Sequence, residues 1–398
     1  MNTTEKTNSK DVCYYAAYNF PAFVYVYKRE DWPRFRKVYQ KLCSVNDFQT
    51  KKSLACSIHE IARLLGPEIT DSELIEIFDK FLNDSQTEVR ISAIKNLHIF
   101  LAEVPASKRE KYIQYILQTF NDAGNDWRTK QLLAKNLGNY VTLFDLKTVK
   151  SSFLPMFFKF CEDKINTVNS AAATALAPLL IKFQDDQTQM RAIIKIVKNN
   201  FRQGEIATFK RRQLFVIMCE HVMAQAPEVF QEHFIHDFLS LVSDKVVNVR
   251  IAVARTLRNH FKTLNGAFVS DTLVNHAIRV LRHDRDSEVC FIVNEIRAFH
   301  DFDDRSSNAS SASANTDTTE AFVETLTKSH RSSTSNDSEI NAMEEEIIKA
   351  SGIAIIRAAE KRLEENAKMK PEKVKLSAIA NVEKREDAHT GQKEEELS

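Results

Sequence analysis

An aspartate followed five residues later by Val or Trp returns along this chain at a nearly constant interval. Copies stand at Asp84 with Val89-Arg90, Asp122 with Trp127-Arg128, Asp163 with Val168-Asn169, Asp244 with Val249-Arg250, and Asp284 with Val289-Cys290. The steps are 38, 41, 81 and 40 residues. Since 81 is two steps, a degenerate copy belongs near Gly204, where Phe209-Lys210 replaces the usual pair, and a further copy starts at Asn46 and Asp47. One unit of this size cannot bury its apolar face alone, so the units must stack.

A period of about 40 to 47 residues built from helix pairs is the signature of HEAT and armadillo arrays. Composition agrees: 7 Gly and 8 Pro in 398 residues disfavour hairpins and suit long helices joined by short turns. Each repeat is read as helix A, a turn holding the aspartate, and helix B, with B helices starting near 48, 87, 125, 166, 205, 247 and 287. Val89, Ala93 and Leu97 form one buried stripe, and Val168, Ala172 and Leu176, and Val249, Val253 and Leu257, form its counterparts. The fold class is all-α, an α-solenoid of about seven HEAT-like helix pairs followed by a mostly disordered tail with one amphipathic helix. Residues 1–10 read as a disordered N-terminus and 11–300 as the array. Residues 301–338 read as a flexible linker rich in Ser, Thr, Asn and Asp, 339–368 as an amphipathic helix, and 369–398 as a charged disordered tail.

The 55 basic and 54 acidic residues leave a net charge of +1, so no global field points to nucleic acid. Six scattered cysteines without paired spacing imply a reducing compartment, the cytoplasm with the nucleus as alternative. The start carries no secretory pattern. Val12 to Tyr27 is too short and interrupted for a membrane span and reads as a buried or capping helix pair.

Catalytic constellations fail one by one. His59-Glu60 lacks the second histidine of a zincin, because Arg63 stands there. His233 and His236 have ligand spacing, but the intervening Phe234, Ile235 and Phe238 have core spacing, so no metal is assigned. No glycine-rich phosphate loop exists, and the reading is of a non-enzyme without cofactor. The basic run Phe209 to Arg212 reads as a solvated helix start on the array's ridge.

A turn aspartate can accept hydrogen bonds from the free amides opening helix B. Arg90, Arg128 and Arg250 point to the same edge, where each can pair with the aspartate of an adjacent repeat. Asp84, Asp122, Asp163, Asp244 and Asp284 with Arg90 then form a register-setting ladder. Trp127 departs from the compact Val of its counterparts, and Trp and Arg are the types most enriched in interface hot spots. Trp127 and Arg128 therefore read as partner contacts.

At these residues the chain resembles the scaffold subunit of protein phosphatase 2A, in which such turns, an Asp-Trp-Arg turn among them, recur. It is more similar to the family of regulatory subunit 1 of protein phosphatase 4. The resemblance rests on residues 17–22 (AYNFPA), 53–66 (SLACSIHEIARLLG), 126–137 (DWRTKQLLAKNL), 212–219 (RQLFVIMC) and 244–259 (DKVVNVRIAVARTLRN), and covers residues 11 to 300. That family's chains are longer, and the matching part lies in their C-terminal half. The resemblance implies a regulatory or scaffold subunit gripping a serine/threonine phosphatase catalytic subunit through its intra-repeat turns. Trp127, Arg128, Lys130 and Arg250 are the contacts it carries over. Further regulatory subunits or substrates are possible companions, with no nucleic acid and no membrane. Asn169 and Cys290 show that the basic edge is not uniform. The alternative is a transport or trafficking adaptor taking helical or extended cargo. The aromatic segment from Tyr14 to Tyr27 is expected to present an apolar end, covered by self-association or by the helix near Ile340 to Leu363 folding back.

Overall fold

The computed structural model describes residues 2–124, 126–203, 208–264, 271–296 and 337–351. All regular elements among them are helical. Helix α1 (Asn2–Tyr27) leads, and seven pairs follow. Their A and B members are α2 (Trp32–Ser44) with α3 (Phe48–Leu65), α4 (67–82) with α5 (87–103), α6 (Ala106–Asp122) with α7 (Trp127–Leu143), and α8 (146–161) with α9 (166–182). The array continues as α10 (187–203) with α11 (Phe209–Gln225), α12 (227–243) with α13 (Val247–Leu264), and α14 (Asp271–Arg282) with α15 (Ser287–Asn294). Helix α16 (Asp337–Ser351) comes last. Residues up to Ile347 form one compact unit and those from Ile348 a second, of which only the last turn of α16 is described.

The sequence starts and stops these helices by local chemistry. Asp47, Asp126, Asp145, Asp186 and Asp286 each accept a hydrogen bond from a first-turn amide of the helix that follows. Gly66, at φ 80 and ψ 176, ends α3 in a conformation open essentially to glycine, and Pro67 opens α4. Several rods are irregular inside. Helices α4, α8 and α10 each contain a five-residue π segment, and α5 breaks at Asn96. The core runs the length of the stack: Leu54, Val89, Phe100, Leu137, Phe157, Leu176, Phe215, Val249 and Val289 are each fully buried. Phe78 on an A helix stacks on Phe100 of its own B helix with ring centroids 3.9 Å apart.

Two readings of the chain's first helix need correction. Residues 2–10, expected to be disordered, are the first turns of α1; neither Gly nor Pro interrupts the chain there. The segment expected as a helix pair is this one helix, with Pro21 inside it. Its inner face buries Ala17, Phe20 and Val24, while Tyr15, Tyr18, Tyr25 and Val26 are exposed, so α1 is apolar on both sides. The described part of α16 does not cover that outer face; its polar contacts fall on α8 and α10, through Lys150 and Lys195. The linker and the segment beyond Ser351 lie outside the described residues.

Candidate functional site

The ridge of intra-repeat turns follows one rule once residues are counted from the one preceding each B helix: Asp47, Gln86, Asp126, Ile165, Thr208, Val246 and Asp286. In six repeats the third helical residue after it points into the core, the exception being Arg211 in repeat 5. It is Val89, Val168, Val249 and Val289 in four repeats, and the buried Thr50 and Thr129 in two. Each threonine hydroxyl donates to the capping aspartate, Thr50 to Asp47 at 2.7 Å and Thr129 to Asp126 at 2.6 Å. The fourth residue is Lys51, Arg90, Lys130, Asn169, Arg212, Arg250 or Cys290, the ladder position.

From that position a cation reaches to the next repeat's aspartate, two residues ahead of the B helix's preceding residue. Lys51 pairs with Asp84 at 3.1 Å and Lys130 with Asp163 at 3.0 Å. Arg212 holds both oxygens of Asp244 at 2.5 and 3.0 Å, and Arg250 both of Asp284 at 2.6 and 2.8 Å. Each acceptor also closes its own turn, taking the amide two residues on: Gln86, Ile165, Val246 or Asp286, at 2.8 to 2.9 Å. Burial pushes the Asp84 carboxyl up, but the Gln86 amide and Lys51 more than offset this and hold it below the ordinary range.

The rungs at the other two repeat boundaries are missing for a stated reason. In repeat 3 the acceptor position is Gly124, and the copy read as Asp122 lies two residues too early, exposed and making no ion pair with the described residues. Arg90 therefore does not reach a neighbouring aspartate. It folds back onto its own turn, donating to the Asp84 carbonyl at 2.7 Å, the Ser85 carbonyl at 3.1 Å and the Thr87 hydroxyl at 3.0 Å. Asn169 does the same, donating to the Asp163 carbonyl at 3.1 Å. Between repeats 4 and 5 a different tie replaces the rung, with Arg211 clasping both oxygens of the buried Glu162. Of the basic run at the start of α11, Arg211 and Arg212 are thus engaged in ion pairs, while Phe209 and Lys210 are exposed as the solvated reading expects.

The same two-residue offset reassigns the sequence-predicted contacts. Trp127 is the first residue of α7 and does not occupy the Val position, which Thr129 fills. Lys130 and Arg250, grouped above with the partner contacts, are rungs of the ladder. Arg128 is not a rung: it is exposed and lies over the half-buried indole of Trp127, its guanidinium carbon 4.7 Å from the ring centroid. Asp126 beneath them has a lowered carboxyl pKa, first because the Thr129 hydroxyl bonds it, and in spite of partial burial.

Among the described residues the boundary between repeats 2 and 3 is therefore the one place on the ridge where no ion pair joins the turns, the Tyr115 hydroxyl donating to the Leu82 carbonyl across it at 2.9 Å. A groove of about 530 Å³ opens there, walled by Asp84, Arg90, Tyr115, Asp122, Asp126 and Thr129 among others. Its walls offer carboxylates, hydroxyls and one guanidinium, with no histidine or cysteine. Trp127 and Arg128 are not among its lining residues but stand between two that are, Asp126 and Thr129.

Comparison with known proteins agrees with this architecture. Residues 16–120, from α1 into α6, match the family model of the protein phosphatase 4 regulatory subunit 1 middle domain. Over 300 residues the chain is 30% identical to serine/threonine-protein phosphatase 4 regulatory subunit 1 of Rattus norvegicus, and equally to those of Homo sapiens and Mus musculus. The alignment takes in 73% of this chain but 31% of each relative, so the chain spans about a third of their length. By these matches the chain is a relative of the family of regulatory subunit 1 of protein phosphatase 4.

Proposed function

We propose that this chain is a non-catalytic regulatory or scaffold subunit of a type 2A-like serine/threonine phosphatase, of the phosphatase 4 type. We place the catalytic subunit on the open boundary between repeats 2 and 3. The observation that carries the reading is the 300-residue likeness to proteins named as phosphatase 4 regulatory subunits. The site assignment rests on Trp127 and Arg128, which no packing or ladder role consumes. The mechanism is geometric: a ridge fixed by rungs on either side presents one turn without a rung, and a rigid presentation lowers the entropy lost on association. Substrate would be brought by other surfaces of the array.

Capture of purified phosphatase catalytic subunits on the immobilised full chain tests it. Wild type should retain the phosphatase 4 catalytic subunit, and Trp127→Ala with Arg128→Glu should weaken retention at least tenfold while leaving the melting temperature within two degrees or so. Absence of capture by wild type overturns the function. Undiminished capture by the double variant overturns the site.

A further inference from the structure

Helix α16 carries Ile340, Met343 and Ile347 on one side, at the i, i+3 and i+7 spacing of a helix that lays an apolar face onto a surface. Ile347 is 3% exposed, and Ile340 and Met343 are half-buried. Glu339 and Glu346 flank this stripe and Glu345 lies opposite it, all three exposed. Two polar contacts fix the seat. The Asn341 side-chain oxygen accepts from Lys195 Nζ of α10, and Glu346 Oε2 lies 3.6 Å from Lys150 Nζ of α8.

Five residues separate Asn341 from Glu346, a rise of about 7.5 Å along a helix. Neighbouring packed helices lie about 8 to 10 Å apart. One short stretch of α16 thus touches the A helices of two successive repeats. The surface it meets is basic. Lys147 lies three residues before Lys150 and Arg191 four before Lys195, spacings that share a helix face. Acidic flank meets basic face, and apolar stripe meets the array between them.

We propose that the A-helix face of repeats 4 and 5 is a docking site for an acidic amphipathic helix, and that residues 337–347 occupy it in cis as a displaceable strap. The inference is independent of the phosphatase reading, because the face lies on A helices and not on the ridge of turns. The hold is slight: one well-buried side chain, two half-buried ones, and polar contacts made by partly exposed lysines, which water and salt screen. Tethering compensates, since a ligand on the same chain acts at an effective concentration on the order of millimolar. A partner's helix with the same three apolar anchors and an acidic flank would compete for the face and release the strap.

The test uses the full chain and a fluorescently labelled synthetic peptide of residues 337–351. In wild type the strap shields the face. Asn341→Lys with Glu346→Lys sets lysines against Lys195 and Lys150, and Ile347→Asp removes the buried anchor. Either variant should bind the peptide at least tenfold more tightly than wild type by fluorescence anisotropy. The first changes only exposed side chains and so keeps the test valid if the second disturbs folding. Adding Lys150→Glu and Lys195→Glu to the first variant should return binding to the wild-type level. Equal affinity for wild type and both variants, no binding to either variant, or indifference to the lysine reversals overturns the proposal.

Discussion

Arg250 grips both carboxylate oxygens of Asp284 from the preceding repeat, while its remaining Nη donates to the carbonyl of Asp244 in its own turn at 2.7 Å. The pair is nearly sealed from water, with side chains 12% and 7% exposed. Asp284 raises the basicity of the guanidinium further, chiefly through these hydrogen bonds. Arg250→Ala leaves a buried carboxylate short of its partner and should cost about 2 kcal/mol. Arg90→Ala, at the boundary without a rung, strips only carbonyl and hydroxyl contacts and should cost about 1 kcal/mol or less. Urea midpoints of the two variants decide it. Equal losses would mean that the rung adds nothing beyond closing its own turn.

The register of repeat 3 makes a second contrast. Asp126 caps α7 through the Arg128 amide at 3.1 Å and the Thr129 hydroxyl at 2.6 Å, whereas Asp122 is exposed and caps no helix among the described residues. Asp126→Ala should destabilise by roughly 1 to 2 kcal/mol and Asp122→Ala by less than about 0.5 kcal/mol. Thermal melts in which Asp122→Ala proved the more damaging would restore the register implied by aspartate spacing.

Gly66 and Gly124 both have positive φ, at 80° and 45°, but only the second lies near the left-handed well that Asn tolerates. Gly66→Ala is expected to cost about 1 to 3 kcal/mol, because ψ at 176° places it in a region essentially confined to glycine. Gly124→Asn should cost less than about 1 kcal/mol, since a Cβ there would meet nothing closer than the Asp122 carbonyl at 3.7 Å. Chemical denaturation ranks the two, and the reverse order would contradict the backbone geometry.

Stability should fall on mild acidification. Burial is the leading cause lowering the imidazole pKa of His59, His98, His221, His233 and His276 below 6.5, the ordinary value. Well above pH 6.5 these rings are neutral folded and unfolded, and stability is complete. Below it the unfolded chain takes up protons that the folded chain refuses, so unfolding becomes easier as pH drops. The depressed carboxyls of Asp84 and Asp126 add a second loss on descent below 3.8, their unfolded value. Melting temperatures measured from pH 7.5 to 5.5 should decline, and a rise over that interval would refute the assignment of buried neutral rings.

Much of this molecule was legible from residues alone, and the exceptions share a cause. The period and the buried valines fix the stack because a helix pair has one length and one apolar face. B helices observed from 48, 87, 166, 247 and 287 start where the pattern put them. The ladder was misread where the turn lengthens. Counting from Asp122 aligned Trp127 with Val89, while the structure aligns Thr129 with it. The clue lay in the spacing of Asp47 to Thr50 and Asp126 to Thr129, a capping aspartate with its hydroxyl three residues on. Which cations pair across repeats depends on acceptor position in the next turn, a relation some 33 residues apart that local pattern does not reveal. The seat of α16 was hidden for a similar reason, since its own pattern announces a sticky face but not the surface that receives it.

Gly124 thus does more than bend a turn. By leaving the acceptor position empty it removes the rung from this boundary, so repeats 2 and 3 are held together by their helices instead, through Lys111 and Tyr112 on Asp79, Tyr115 on the Leu82 carbonyl and Asn136 on the Lys95 carbonyl. A partner seated there would supply from outside the tie that the chain leaves out, bridging the two turns with a side chain of its own.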